Sequence, residues 1–481
     1  MMDVPTPPSV RPSVRLSVFI HSYVIYSSSA SIHPRRVRSV ASVGSSPSPS
    51  RRPGALELEL EKMMRDERCR RHTPTRTRMR ASTRLTPCAR VVGLGDPVTD
   101  VLCRVSRADA LDILRAVGGG PDDGDDDDAV ADVADVEIGG CVAVRDATDL
   151  DAIVARVDAS SRVTTPGGSA ANVLKGLAGI ARGTRENAHA EDVDAAPTFT
   201  FIGTVEDGDA VGAAYETALT RAGVEAALVR RRRETPPLGS ARCVCLVDEG
   251  GQRTMRTYLG AAAKMTVDDV PMDVLARADV LHAEGYALYK PEVLRAACAA
   301  AKANGALVSL DLASFEVVRN RREALEEILR SGVIDVVFCN EDEARELARG
   351  TSSERETRLP ANGRAAERPS EETETEAMRY LLRFVEVATC SRGKRGCVSM
   401  NAAGERAESS AEGVTAIDTT GAGDTFTSGF LHAYLAGGSL RQCGDAGCAA
   451  GAEIVQVRGA EMDDARWRRV AEKIERVLRR E

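Results

Sequence analysis

The sequence predicts an α/β fold: a doubly wound, mostly parallel sheet with helices on both faces and a small β-sheet standing off it as a lid. Two observations predict it. Strand-length apolar runs alternate with helix-length segments through most of the chain, as repeated βα units do. One interval, 224–258, breaks that rhythm and alternates residue by residue, as antiparallel strands do.

The body opens at "ARVVGLGDPVTDVLCRV" (89–105), where Val91 and Val92 form a short strand running into Gly93 and Gly95. "TFTFIGTV" (198–205) is a strand and "DAVGAAYETALTRAGV" (209–224) a helix ending near Gly223. "VLHAEGY" (280–286) is a strand before the helix "PEVLRAACAAAKANG", which has Pro291 at its start. Next come the strand "ALVSLDLA", the helix "RREALEEILRSG", the strand "DVVFCN" and the helix "EDEARELARG". Polar insertions at 118–128, 182–197 and 351–376 read as surface loops. Residues 98–106, 136–145 and 224–258 read together as the lid. Within it, "RRRR" (230–233) reads as a solvated turn between lid strands, flanked by Glu234 and Pro236 and without interleaved aromatics.

Charge divides the chain. Residues 1–90 hold 17 Lys and Arg against 6 Asp and Glu, an excess of 11 positive charges. The net charge of −8 therefore leaves an excess of 19 negative charges on the remainder. An acidic body argues against nucleic-acid binding, which needs a basic footprint. No stretch of about 18 apolar residues points to a membrane span. Residues 1–85 are rich in Ser, Pro and Arg, and Asp3 is the only acid in the first 52 residues. That is the composition of a transit peptide for a plastid or mitochondrion, with a cytoplasmic protein carrying a polar tail as the alternative. The 12 cysteines form no C-x-x-C pair, and "CVC" (243–245) lies in a strand-like run. They read as buried, reduced thiols rather than zinc ligands or disulfides.

The chain contains no G-x-x-x-x-G-K-[ST] and no G-x-G-x-x-G, so neither a P-loop nor a dinucleotide site is indicated. The chemistry concentrates in "DTTGAGDTF" (418–426), directly before the helix "DTFTSGFLHAYLAGG". The first N–H groups of a helix have no internal partner and face outward at the positive end of its dipole. Gly421, Ala422 and Gly423 let that backbone approach a phosphate closely. Asp424 then stands beside the anion, where an acid is electrostatically costly unless it accepts the proton of a hydroxyl attacking a γ-phosphate. The plainer alternative is a tight turn with a capping acid.

This stretch resembles the second signature of the PfkB-type, ribokinase-like carbohydrate and nucleoside kinases, and "TPGGSAANVLKGLAGI" (165–180) resembles the first. The similarity extends over roughly 89–480, and the overall order, with "MRTYLGAA", looks closer to the adenosine-kinase branch. The resemblance implies transfer of the γ-phosphate of ATP, with Mg2+, to a primary alcohol of a small-molecule sugar or nucleoside, by a monomer or homodimer. It implies Asp424 as general base and Gly421–Gly423 as anion hole. Asp100, Gly168 and Asn172 match substrate contacts. Asn340 and Glu343 match the N-x-x-E near the nucleotide's magnesium, with Glu343 acting through water. Asp418 and Thr420 match positions that help to bind a monovalent cation such as K+. Gly393 and Gly396 of "TCSRGKRG" (389–396) stand where T-L-G-x-x-G carries ATP contacts, as if two residues had been added before Gly393. "AGCAAG" (446–451) places Gly447 where an Asn is frequent.

A nucleoside base needs flat aromatic surfaces, whereas a free sugar needs hydroxyl partners. The lid offers only Tyr258, and "EGYALY" adds Tyr286 and Tyr289, so the balance leans to a sugar or small ribosyl substrate, with adenosine kept open. A second class of function is a non-catalytic subunit of an organelle complex, as some plastid PfkB-like proteins are thought to be. The intact acid and glycines argue against it.

Overall fold

A computed structural model of the chain describes residues 89–117, 140–144, 146–186, 196–351 and 371–480, all within the unit Glu59–Glu481. The expected leader (1–85), the insertion 118–128 and lid residues 136–139 and 145 lie outside the described residues. So do 187–195 and 352–370 of the other two insertions.

The elements run in the order β1 (Arg90–Leu94), β2 (Thr99–Arg104), α1 (Arg107–Val117), β3 (Cys141–Ala143), α2 (Ala147–Ala155), β4 (Arg162–Pro166), α3 (Ser169–Glu186), β5 (Thr198–Glu206), α4 (Ala210–Ala222), β6 (Glu225–Arg231), β7 (Arg242–Val247) and β8 (Arg253–Tyr258). They continue with β9 (Val280–Glu284), α5 (Pro291–Ala303), β10 (Leu307–Asp311), α6 (Arg322–Arg330), β11 (Val336–Asn340), α7 (Glu341–Thr351), α8 (Glu371–Leu381), β12 (Val387–Ser391), β13 (Cys397–Asn401), β14 (Arg406–Ser409), α9 (Ala422–Leu435), α10 (Leu440–Ile454) and α11 (Asp464–Leu478). Short 3₁₀ and one-turn segments join them.

The main sheet has the order β14-β13-β12-β11-β10-β9-β1-β5-β6. All pairs from β12 to β6 are parallel, and only β13 and β14 are antiparallel. Both faces are covered, and neighbouring residues show it. Val92 and Leu94 join the apolar cluster under α5, α6, α7 and α8, while Val91 joins the cluster under α3, α4, α9, α10 and α11. This doubly wound α/β arrangement is the one expected from the alternation of elements. None of the described helices is long and apolar enough to cross a membrane.

The second sheet, β3-β8-β7-β2-β4, is the lid, and it corrects two sequence expectations. Residues 225–231 are not lid strands. They form β6, paired parallel with β5 at the edge of the main sheet. At the edge of the sheet neither face is fully covered, so most of β6 is half-buried and its sequence mixes apolar and charged residues as a partly exposed antiparallel strand would. Arg230 and Arg231 accordingly end β6 and ion-pair with Glu216 and Asp269 rather than forming a free turn. Conversely, Arg162–Pro166 was not expected as a strand yet pairs antiparallel with β2. It is short, exposes Val163 and ends in proline, which the edge of a sheet tolerates. Likewise 182–186 completes α3 and 371–376 opens α8, although both lie in intervals expected as loops.

Helix α3 is buried nearly all round, between β1 and β5 on one side and α9 and α11 on the other. Glycines make that approach possible. A Cβ at Gly176 would lie 2.2 Å from Ser428 Oγ, and one at Gly179 would lie 2.4 Å from the Trp467 ring. In an exposed helix, Gly→Ala stabilises by about 1 kcal/mol. Gly179→Ala is expected to reverse that sign, because a rigid indole must move, and to destabilise the chain by about 1–3 kcal/mol. Denaturant unfolding checks it; an unchanged or higher midpoint contradicts this packing.

Candidate active site

The carboxyl ends of five adjacent parallel strands open into one cavity. β1 runs into Gly95 and Asp96, β9 ends at Glu284, β10 at Asp311, β11 at Asn340 and β12 at Ser391. Such a crevice, where successive connections leave β1 in opposite directions, is where open α/β sheets bind ligands. The lid closes its far side. The cavity holds about 580 Å³, within the range of small-molecule sites.

Glu284 organises the end nearest β1. Its Oε1 accepts from Asp96 N at 2.8 Å and its Oε2 from Ala170 N at 2.9 Å, so one buried carboxyl ties "GLGDP" to "GGSAAN". Burial and the neighbouring Asp96 push its pKa up to about 8. Lys290 ion-pairs with Asp96. Gly95 leaves room for the acid, since a Cβ there would lie 2.5 Å from Glu284 Oε2. Gly168 has φ +86°, and a Cβ on it would meet Asp96 O at 2.6 Å, so it shapes the turn into α3 as well as facing the cavity.

The second motif arrives from the opposite side. Asp418 Oδ1 accepts from Thr420 N (2.8 Å) and Thr420 Oγ1 (2.7 Å), and its Oδ2 accepts from Gly459 N (2.9 Å). Both oxygens thus help to pin the loop. Gly421 is the residue before α9, with φ +72°, and no side chain caps this helix. The left-handed glycine is Gly421 and not Gly423, whose Cβ position faces open space. Ala422 and Gly423 form the first turn at the cavity wall. Asp424 therefore sits inside the helix and does not cap it. Its Oδ1 accepts from Ser169 Oγ and its Oδ2 from Asn172 Nδ2, each at 2.8 Å. Burial holds its pKa above the ordinary carboxylate value. The Asn172 amide is turned to the acid, while its Oδ1 is buried without a partner.

Three further acids approach this point. Asp100, on β2, faces the cavity, and burial raises its pKa to about 7. Asp311 likewise rises to about 7, through burial and then the charge of Asp424. Glu343 is almost wholly buried and its pKa is raised by burial and by Asp311. Asn340 and Glu343 do share a helix face, but they close on each other. Glu343 accepts from Asn340 N (2.8 Å) and Nδ2 (2.7 Å), and Asn340 Oδ1 accepts from Asp342 N (2.9 Å) and Glu343 N (3.0 Å). The pair is a helix cap at the cavity wall.

The loop after β12 is a tight turn between two glycines. Thr389 and Cys390 lie inside the strand, which continues to Ser391. The turn is Ser391-Arg392-Gly393-Lys394-Arg395-Gly396, with positive φ at both glycines. Gly393 lines the cavity; Gly396 packs against the Ser409 backbone. Gly447 packs against the Phe426 ring. On the lid, strand alternation turns Arg253, Met255 and Thr257 toward the cavity, while Tyr258 packs with the α1 and α2 side. The aromatic wall is instead Tyr286, Tyr289 and Phe338.

Sequence reasoning missed Glu284, Ser169, Asp311 and Arg253. Ser169 lies inside "TPGGSAANVLKGLAGI", between the two residues singled out there, and the acids at the ends of β9 and β10 carried a usable signal: a charge closing an apolar strand. Arg253 carried none, although its charge reaches Asp100, Asp418 and Asp424.

Comparison with known proteins agrees with this fold. The sequence pattern of the pfkB family carbohydrate kinases matches residues 138–466. A nucleoside kinase of Methanocaldococcus jannaschii is 40% identical over 60 residues, 12% of this chain and 20% of its own. The chain thus spans about a fifth of that relative. A probable sugar kinase of Rhizobium etli and the adenosine kinase of Sinorhizobium meliloti each superpose with a TM-score of 0.61 at 25% identity. Each covers 78% of this chain, and 95% and 96% of the respective structures are covered.

The raised acids make stability depend on pH. Asp100 and Asp311 hold their protons to about pH 7 in the folded chain, against 3.8 when unperturbed. The folded state therefore binds more protons across that window, and stability falls as pH rises through it. The melting temperature of the ligand-free chain is expected to drop between about pH 5 and pH 7, and Asp311→Asn to flatten the drop. A melting temperature that rises over that interval contradicts the assignment.

Proposed function

The chain belongs to the pfkB family of carbohydrate kinases, and on that premise we propose that it transfers the γ-phosphate of ATP to a primary alcohol of a sugar or nucleoside. The observation that carries the reading is Asp424: a half-buried carboxylate beside an uncapped helix start, aimed by Ser169 and Asn172 from the other half of the cavity.

The reaction needs a base, an anion site and a means to exclude water. Asp424 accepts the proton of the attacking hydroxyl; desolvation has already made its carboxylate more basic. The N–H groups of the α9 first turn, with open space before Gly423, receive the transferred phosphoryl oxygens. Arg253, which lines the cavity from the lid, adds positive charge on the same side. Asp100 accepts from substrate hydroxyls, and the unpaired Asn172 Oδ1 accepts from another. Magnesium would neutralise phosphate charge. Asp311 fits it better than Glu343, because Asp311 and Asp424 crowd like charges at the cavity while Glu343 is spent on Asn340.

Tyr286, Tyr289, Phe338 and Met255 form an apolar wall that can hold a nucleoside base. That wall favours a nucleoside more than the sequence did, and adenosine is the first nucleoside to assay. The Ser- and Arg-rich residues 1–85 remain proposed as an organelle leader.

Asp424→Asn keeps the size and one hydrogen bond but cannot take the proton. With ATP, magnesium and a panel of sugars and nucleosides, it is expected to lower turnover by about 10²–10⁴-fold while ATP binding persists. Near-normal turnover on the best substrate would refute the base. A wild-type chain inactive across the panel would favour the non-catalytic alternative.

A further inference from the structure

The inner face of the lid carries two thiols that the proposed phosphoryl transfer does not use, set beside Asp100, which it does. Cys243 and Cys245, two residues apart on β7, point to one face with their sulfurs 3.6 Å apart. β2 lies beside β7 in parallel, and Asp100 stands opposite Cys243. A carboxylate oxygen of Asp100 and both sulfurs lie within 4.8 Å of one another. Among the described residues this is the one such trio of metal-ligating side chains. Cys141 stands close by, its Sγ 3.5 Å from Thr257 Oγ1, and Thr257 is opposite Cys243 in the next strand pair.

Buried thiols alone are ordinary small hydrophobes. The carboxylate is what changes the reading. No hydrogen bond to the Asp100 side chain is found among the described residues, although burial already strains its charge. The charges of Lys175 and Arg253 reach this acid, but the two thiols set against it are only weak donors. A cation would satisfy all three groups together. Zinc binds sulfur at about 2.3 Å in tetrahedral sites, which places two ligand sulfurs about 3.8 Å apart. The observed sulfur separation is within a few tenths of an ångström of that edge.

We propose that Cys243, Cys245 and Asp100 form a site for one soft or borderline divalent cation of the Zn2+ or Cd2+ class. Two metal–sulfur bonds and one metal–oxygen bond form, and the two thiol protons, with the Asp100 proton where the acid still holds it, leave to solvent. The fourth position opens to the cavity. Thiolate ligands select against magnesium, so the cation that accompanies ATP does not compete. A metal-bound Asp100 cannot accept substrate hydroxyls, so the ion is a competitive inhibitor of the alcohol substrate. That consequence rests on the kinase reading; the binding itself does not.

The test is a titration of the purified full chain, without nucleotide, with CdCl2, following the ultraviolet thiolate-to-metal charge-transfer band; ZnCl2 then displaces the Cd2+. One Cd2+ per chain is expected. Removal of an outer-shell partner already weakens metal sites by about 10–100-fold, so Cys245→Ala is expected to weaken binding by about 100-fold or more, and Asp100→Asn by at least about 10-fold. Cys390→Ala removes a thiol from another close pair, opposite Cys339, and is expected to bind as wild type. If melting curves show Cys245→Ala unfolded, Cys243→Ser serves instead. Absence of the band, unchanged affinity in Cys245→Ala or Asp100→Asn, or its loss in Cys390→Ala overturns the site. A chain that binds Cd2+ but phosphorylates nothing refutes the kinase and keeps the site. An active kinase that binds none does the reverse.

Discussion

Two hydrogen bonds join the halves of this molecule at its cavity: Ser169 Oγ and Asn172 Nδ2 both donate to the Asp424 carboxylate. They link the start of α3 to the start of α9 across more than 250 residues of chain. Everything else near the site answers to that junction. α3 must be buried to place Ser169, so it carries glycines where α9 and α11 press on it. α9 must begin without a side-chain cap, so Gly421 takes a left-handed turn that Asp418 holds in place. The acid is then both desolvated and aimed, and these are the two conditions for a useful base.

A second junction supports the first. Glu284 accepts from the backbone of Asp96 and of Ala170, so the ends of β1 and β9 and the start of α3 share one carboxyl. Ala170 adjoins Ser169, and a shift in Glu284 would be felt at Asp424 through a single turn of helix. Burial around one space raises the pKa values of Asp100, Asp311, Glu284 and Asp424, and the charge of Asp424 adds to the shifts of Asp100 and Asp311. Such a cluster is unfavourable in an empty cavity and is relieved by bound cations and donors, as expected where binding and catalysis are concentrated.

Much of the fold was legible in the sequence, because strands buried on both faces and helices with one buried face leave different periods. The alternation through residues 198–350 gave the main sheet's elements in the right order. It failed at the edges. β6 and β4 each have a solvent-facing side, and there local pattern reports exposure rather than partner. The site was legible where chemistry sits in contiguous motifs, at Gly421–Asp424 and Gly168–Asn172. It was opaque where a residue acts through distant contact. Nothing local marks Ser169 as the partner of Asp424, or Tyr258 as turned from the cavity. At Asn340 and Glu343 a spacing that suits one ion equally suits a helix cap, and the structure shows the cap.

The central claim is that Ser169 serves the reaction by aiming Asp424, and a double-mutant cycle tests it most directly. Turnover would be measured for the wild type, Ser169→Ala, Asp424→Asn and the double variant, with melting curves to confirm folding. The account predicts that Ser169→Ala alone slows turnover and that the double variant is no slower than Asp424→Asn. Losses that multiply, as for independent residues, would contradict it.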